Sequence, residues 1–134
     1  MTEKIILVVD DDALVRRATE RLLRREGYTV YTAEGLEQAI AYLNSQSLDL
    51  LVTDDNMPCH HDGVVLIAHL RAMGKDTPAI LFSGFSLEEI REDCRKKGVS
   101  TAHITHFVQK TDPLLVVRLV RELLADSPPG TPEC

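Results

Sequence analysis

Five short apolar runs alternate with longer amphipathic stretches along the chain, and this rhythm predicts an α/β fold built on a parallel sheet. Two further observations support it. The opening run "KIILVV" is apolar without alternation, as suits a strand covered on both faces. The amphipathic stretches also start and stop at helix-capping residues, so each run and its helix form one βα unit. At 134 residues the chain suits one domain that buries roughly two-thirds of its unfolded surface.

The elements follow in order. After the first strand, Leu14, Val15, Ala18 and Leu22 share one helix face, Arg16, Arg17, Arg21, Arg24 and Arg25 lie largely around the other, and Gly27 closes the helix. "YTVYTA" is the second strand, and "LEQAIAYLNS" a helix with Leu36, Ile40 and Leu43 aligned. "LDLLVTD" is the third strand, ending at Asp54; after a loop, "VVLIAHLRAM" is a helix stopped by Gly74. "PAILFS" is the fourth strand, ending at Ser83. Ser86 and Glu89 have capping-box spacing, and Lys96, Lys97 and Gly98 finish the fourth helix favourably. "HFVQ" is a weaker fifth strand, and Asp112 with Pro113 starts a last helix, "LLVVRLVRELL". The domain is expected over residues 1–125, with 126–134, "DSPPGTPEC", as a disordered tail or linker.

A net charge of -6 argues against wide contact with nucleic acid or anionic lipid. Cys59, Cys94 and Cys134 show no paired spacing and read as plain thiols in a reducing cytosol. The first apolar run is too short for a signal-peptide core or a membrane span, so a cytoplasmic protein that does not enter membranes is expected.

Right-handed crossovers between parallel strands bring every strand's C-terminal end to one edge of the sheet. That edge should gather Asp10 and Asp11 from the first strand, Asp54 from the third, Ser83 from the fourth and Lys110 from the fifth. Three neighbouring carboxylates raise one another's pKa unless a cation neutralises them. An open, all-oxygen set suits Mg²⁺ or Mn²⁺ better than Ca²⁺. Lys110 adds a positive charge for anionic oxygens and Ser83 a hydroxyl, and the ensemble has the parts of a phosphoryl-transfer site.

The motifs "ILVVDDD", "DLLVTDDNMP…DG", "PAILFSG" and "FVQK" resemble, in order and at broadly similar spacing, the response-regulator receiver domain of two-component signalling, over about Lys4 to Ala125. The resemblance implies a doubly wound, flavodoxin-like sheet of five parallel strands in order 2-1-3-4-5. It implies that Asp54 is the phosphoacceptor, and that Asp10, Asp11, Asp54 and the main-chain carbonyl of Asn56 hold Mg²⁺. Ser83 becomes the switch hydroxyl, Lys110 the partner of the phosphoryl group and Phe107 the aromatic that changes rotamer. The implied partners are a sensor histidine kinase or histidine phosphotransfer protein and a downstream protein target, with no enzymatic activity beyond the domain's own phosphorylation and dephosphorylation. Two alternatives remain at this stage: an Mg²⁺-dependent aspartate-nucleophile phosphatase of haloacid dehalogenase type, and a pseudo-receiver that binds a partner without accepting phosphate.

Other residues read more plainly. Asp12 is an N-cap, Asp55 is solvated, and Asp62 with Gly63 opens the third helix. Met57 and Pro58 shape their loop. Cys59, His60 and His61, and separately His103 and His106, belong to surface loops rather than a shared metal site. The arginines of the first helix form a solvated face beside the site, placed to help dock a kinase. Four features depart from the family pattern: a loop one residue longer before Asp62, a longer segment "VSTAHITH" at 99–106, Thr111 where a proline usually follows the lysine, and Phe107 without a tyrosine hydroxyl. Phe85, two residues past Ser83, is expected to shield the acyl phosphate from water.

Overall fold

The computed structural model describes residues 3–56 and 61–125. Five strands, β1 (Ile5–Val9), β2 (Thr29–Ala33), β3 (Leu50–Thr53), β4 (Ala79–Ser83) and β5 (His106–Gln109), alternate with five helices. These are α1 (Ala13–Arg25), α2 (Leu36–Ser45), α3 (Asp62–Ala72), α4 (Leu87–Lys97) and α5 (Leu114–Leu124). All strand pairs are parallel and the order is β2-β1-β3-β4-β5, as the receiver resemblance implies.

Strand alternation sorts the core into two layers. Leu7 and Val9 of β1 face one cluster with Ala39 and Leu43 of α2, Leu66, Ile67 and Leu70 of α3, and Ile90 and Cys94 of α4. Ile6 and Val8 face the other with Leu23 of α1 and Val116, Val117 and Val120 of α5. The sheet is therefore covered on both faces, which is why its central strands lack polar alternation. Three helices lie on one side and two on the other.

Four of the strands are one to three residues shorter than the runs that mark them. At the start of β1 the Asp49 carboxylate accepts from the Ile5 N–H at 2.7 Å, so a side chain supplies the contact that precedes the β3 ladder. Pro78 stays outside β4 but its carbonyl accepts from the Leu51 N–H at 3.0 Å. The helix ends match their sequence signals. Asp12 accepts from the Leu14 and Val15 N–H groups, and Ser86 and Glu89 form a reciprocal capping box. At α5 the signal is displaced by one residue: Pro113 takes the N-cap position rather than the first helical one, and Asp112 before it accepts from the Leu114 N–H at 3.0 Å. Within the longer segment before β5, Ile104 is buried in the first cluster and anchors it. Among the described residues no helix is long and apolar enough to cross a membrane. The expected tail at 126–134, and the readings of Met57, Pro58, Cys59 and His60, lie outside the described residues.

Candidate functional site

The ladder itself carries the site residues to one edge. Just beyond the strands, the Asp10 N–H donates to the Ala33 carbonyl at 3.2 Å, the Asp54 N–H to Val9 at 2.9 Å and the Lys110 N–H to Ser83 at 2.7 Å. Each residue thus continues its strand's hydrogen bonding by one step and is fixed by backbone. Asp10, Asp54 and Ser83 are all buried, whereas Asp11 is exposed.

Lys110 reaches the middle of the cluster, with Nζ 2.8 Å from Asp10 Oδ2 and 3.1 Å from Asp54 Oδ1. It does so although Thr111, not proline, follows it. Asp10 is held from two sides: its Oδ1 accepts from the Asp12 N–H at 2.9 Å, and Arg16 Nη1 donates to its main-chain carbonyl at 2.9 Å. Arg16 is therefore part of the site's scaffold rather than merely of a solvated face. Asp54 Oδ1 also accepts from the Asp55 N–H at 2.8 Å. No hydrogen bond among the described residues engages Asp54 Oδ2.

Burial, and then the Asp10 carboxylate, push the Asp54 pKa up to about 6, against the opposing pull of Lys110 and the Asp55 N–H. For Lys110, burial alone would lower the pKa, but the hydrogen bond to Asp10 and the charge of Asp54 outweigh it and raise it. One amine thus does not neutralise the edge. Asp10, Asp11 and Asp54 each offer a carboxylate oxygen within 4.8 Å of the others. Uncompensated negative charge, oxygen-only donors and an exposed Asp11 side fit a divalent cation that keeps some of its waters.

Ser83 Oγ accepts from the Phe85 N–H at 3.1 Å, which leaves its own O–H as a donor. Phe107 is half-buried and packs against the cluster that holds Leu81 and Ile104. Gly63 has a role not singled out from sequence: a Cβ there would lie 2.1 Å from the Asp54 carbonyl oxygen. Only glycine lets α3 pack this closely on the end of β3.

Two readings from sequence are overturned. Asp55 is not solvated but buried, and His61 does not sit in a surface loop but is 4% exposed. The physical reason is mutual. His61 Nδ1 lies 2.8 Å from Asp55 Oδ2 and Nε2 lies 2.6 Å from Asp93 Oδ2 on α4, so each polar group supplies the partner that permits the other's burial. Asp93 is completed by Lys97 at 2.9 Å. The hydrogen bonds from Lys97, first, and His61 hold the Asp93 carboxyl down at about 2. His61 takes a left-handed backbone, φ 70°, directly before α3. No local spacing announces this bridge, because its members lie 6 and 32 residues apart. His103 lies on the surface, and His106 opens β5 rather than sitting in a loop; both are remote in sequence from His61.

The family model for the response regulator receiver domain matches residues 6–112. This chain belongs to the response regulator receiver domain family. The match covers most of the chain and displaces the haloacid dehalogenase alternative. The receiver domain is 33% identical over 126 residues to an uncharacterized 14.6 kDa protein encoded in the sodA1 3' region of Leptolyngbya boryana, covering 92% of each chain. It is 35% identical over 108 residues to the transcriptional regulatory protein PrrA of Mycobacterium tuberculosis, covering 81% of this chain and 46% of that protein. The chain thus spans about half the length of that regulator. Among solved structures, the response regulator TrrA of Thermotoga maritima in complex with Mg²⁺-BeF is 30% identical, with a TM-score of 0.74 and coverage of 90% of this chain and 99% of that one. Receiver domains are signalling modules that work with sensor histidine kinases, and their acidic pocket corresponds here to Asp10, Asp11 and Asp54.

Proposed function

We propose that this receiver domain accepts a phosphoryl group on Asp54 and changes its protein-binding surface in response. The observation that carries the proposal is the convergence of Asp10, Asp11 and Lys110 on a buried Asp54. Asp54 Oδ2 attacks the phosphorus of a phosphohistidine on a sensor histidine kinase or a histidine phosphotransfer protein. The O–P bond forms, the P–N bond breaks, and the departing imidazole takes its proton from solvent. With a pKa of about 6, Asp54 is already ionised at neutral pH and needs no general base.

Asp10, Asp11, Asp54 and the main-chain carbonyl of Asn56 would hold Mg²⁺, or Mn²⁺ in its place, which when bound neutralises charge on the phosphoryl oxygens. The similarity to TrrA, solved with Mg²⁺ and a beryllofluoride group, supports this reading. Lys110, shared between Asp10 and Asp54, is placed to follow the new phosphoryl oxygens, and the free O–H of Ser83 to donate to them. Movement of Ser83 opens space into which Phe107 turns, so a charge placed at the edge becomes a change at β5. Leu14, 79% exposed, and the basic side of α1 form the surface that meets the phosphodonor. The output is a protein target, not nucleic acid, the setting is the cytoplasm, and the chemistry stops at the domain's own phosphorylation and dephosphorylation.

Intact mass after incubation with acetyl phosphate tests the proposal. Wild type should gain one phosphoryl group in Mg²⁺ and none in EDTA, and Asp54→Ala none in either. Modification of Asp54→Ala equal to wild type would refute the assignment, and an unmodified wild type would favour the pseudo-receiver.

A further inference from the structure

Asp55 directly follows the phosphoacceptor, and its main-chain N–H donates to Asp54 Oδ1 at 2.8 Å. Lys110 Nζ approaches the same oxygen at 3.1 Å, so Oδ1 is engaged twice while Oδ2 is left to act as nucleophile. Which carboxylate oxygen is free therefore depends on where the Asp55 N–H points.

That direction is set by the peptide unit joining residues 54 and 55. At one end of it the Asp54 carbonyl accepts from the Thr53 hydroxyl at 2.9 Å. At the other, residue 55 has two anchors of its own. Its carbonyl accepts from the Gly63 N–H at 3.1 Å, and its carboxylate meets His61 Nδ1 at 2.8 Å. The Gly63 anchor is main chain and comes with the packing of α3. The His61 anchor is a side chain, and it is fixed from further away: Asp93 of α4 lies 2.6 Å from Nε2 and is itself held by Lys97 at 2.9 Å. A continuous run of hydrogen bonds thus leads from α4 through Asp93, His61 and Asp55 to the reacting carboxylate.

Two features of this run exceed what burial requires. An apolar pair of the same shape in place of Asp55 and His61 would cover the end of β3 at little loss of stability. His61 also has φ 70° and is the one non-glycine residue with positive φ among the described residues. Strain of this kind persists where its surroundings over-determine it, and it gathers at functional sites. Here the two ring contacts supply the constraint.

We infer that His61 and Asp93 are positioning residues for phosphoryl transfer, holding Asp55 so that its N–H occupies Asp54 Oδ1 and leaves Oδ2 for the incoming phosphorus. The inference rests on the reading of Asp54 as phosphoacceptor. Neither residue touches the phosphoryl group; both act through residue 55. Attack geometry is sensitive to such support, since a displacement of about 1 Å caused far from the chemistry can slow a reaction about a hundredfold.

The test compares acetyl phosphate labelling rates of the full chain across a Mg²⁺ titration. Asp93 is the residue to vary, because its side chain is 42% exposed and its removal leaves the core filled. Asp93→Ala should label about tenfold more slowly at saturating Mg²⁺, the weakening of one hydrogen bond, with the half-saturating Mg²⁺ concentration unchanged. Asp93→Asn should keep most of the wild-type rate, because an amide can donate or accept and so serves the ring nitrogen in either role. Glu92→Ala removes a neighbouring α4 carboxylate, paired with Arg95 outside the run, and should label like wild type. The Asp55 amide proton gives a second readout: it should resonate downfield in wild type and Glu92→Ala and move upfield in Asp93→Ala. Equal rates in wild type and Asp93→Ala, an Asp55 amide resonance that does not move, or equal slowing in Glu92→Ala would overturn the inference while Asp54 remains the phosphoacceptor. A wild type that takes up no phosphoryl group would overturn that reading and the inference together.

Discussion

Replacing Asp54 with asparagine should stabilise the metal-free protein above neutral pH, and the gain should disappear in acid. The Asp54 pKa rises from 3.8 to about 6, burial being the larger cause and Asp10 the next. A raised carboxyl pKa means that the folded state holds the proton more tightly than the unfolded one. Stability therefore falls as pH rises from about 4 to about 6 and stays low above that window. A rise of about two pH units corresponds to about 3 kcal/mol. The attraction of Lys110 is already included in the net shift, and Lys110 keeps Asp10 as a partner in the variant. The asparagine oxygen can still accept from the Asp55 N–H, so the substitution removes mainly the charge. Urea unfolding in EDTA across this range, wild type against Asp54→Asn, measures the difference while the other carboxylates cancel. The variant should be more stable by about 2–3 kcal/mol near pH 8 and equal near pH 4. Saturating Mg²⁺ should reverse the order, since the ion binds the native wild-type cluster. A variant less stable than wild type near pH 8 without metal, or a gap that ignores pH, would refute the reasoning.

The remaining predictions concern the scaffold around that carboxyl. Gly63→Ala forces a Cβ against the Asp54 carbonyl and should cost toward the upper end of the about 1–3 kcal/mol typical of overpacking, read from chemical denaturation. His61→Leu strands the buried Asp55 carboxylate and should cost about 3 kcal/mol, part of which returns when Asp55→Asn is added; a double-mutant cycle with no coupling would contradict the bridge. The Asp93 carboxyl should titrate at about 2 by ¹³C NMR and move up in Lys97→Met, because the Lys97 hydrogen bond is its largest cause. Lys110→Met should raise the Asp54 pKa above about 6 and slow acetyl phosphate labelling at slightly acidic pH, where fewer molecules carry the free carboxylate.

Much of this protein was legible because its information is periodic or terminal. Apolar runs such as Ile5–Val9 declare buried strands, and the parallel topology alone places Asp10, Asp54, Ser83 and Lys110 together once the strand ends are located. Capping residues are local, so Asp12, Ser86 and Glu89 could be read directly. Asp55 and His61 could not. Whether a polar residue after a strand faces water depends on what packs over it, and here the cover is Asp93 on α4, a distant segment. The left-handed backbone at His61 leaves no mark in composition. Gly63 is an intermediate case: glycine at a helix entry is visible, but its reason, the nearness of the Asp54 carbonyl, is a matter of packing.

Locating the phosphoryl group chemically tests the central claim most directly. After labelling with acetyl phosphate and Mg²⁺, borohydride reduces an aspartyl phosphate to homoserine, and peptide sequencing by mass spectrometry finds the converted residue. Conversion at Asp54 alone, abolished by EDTA, is the predicted result. Conversion at Asp10, Asp11 or Asp55 while Asp54 stays intact would contradict it.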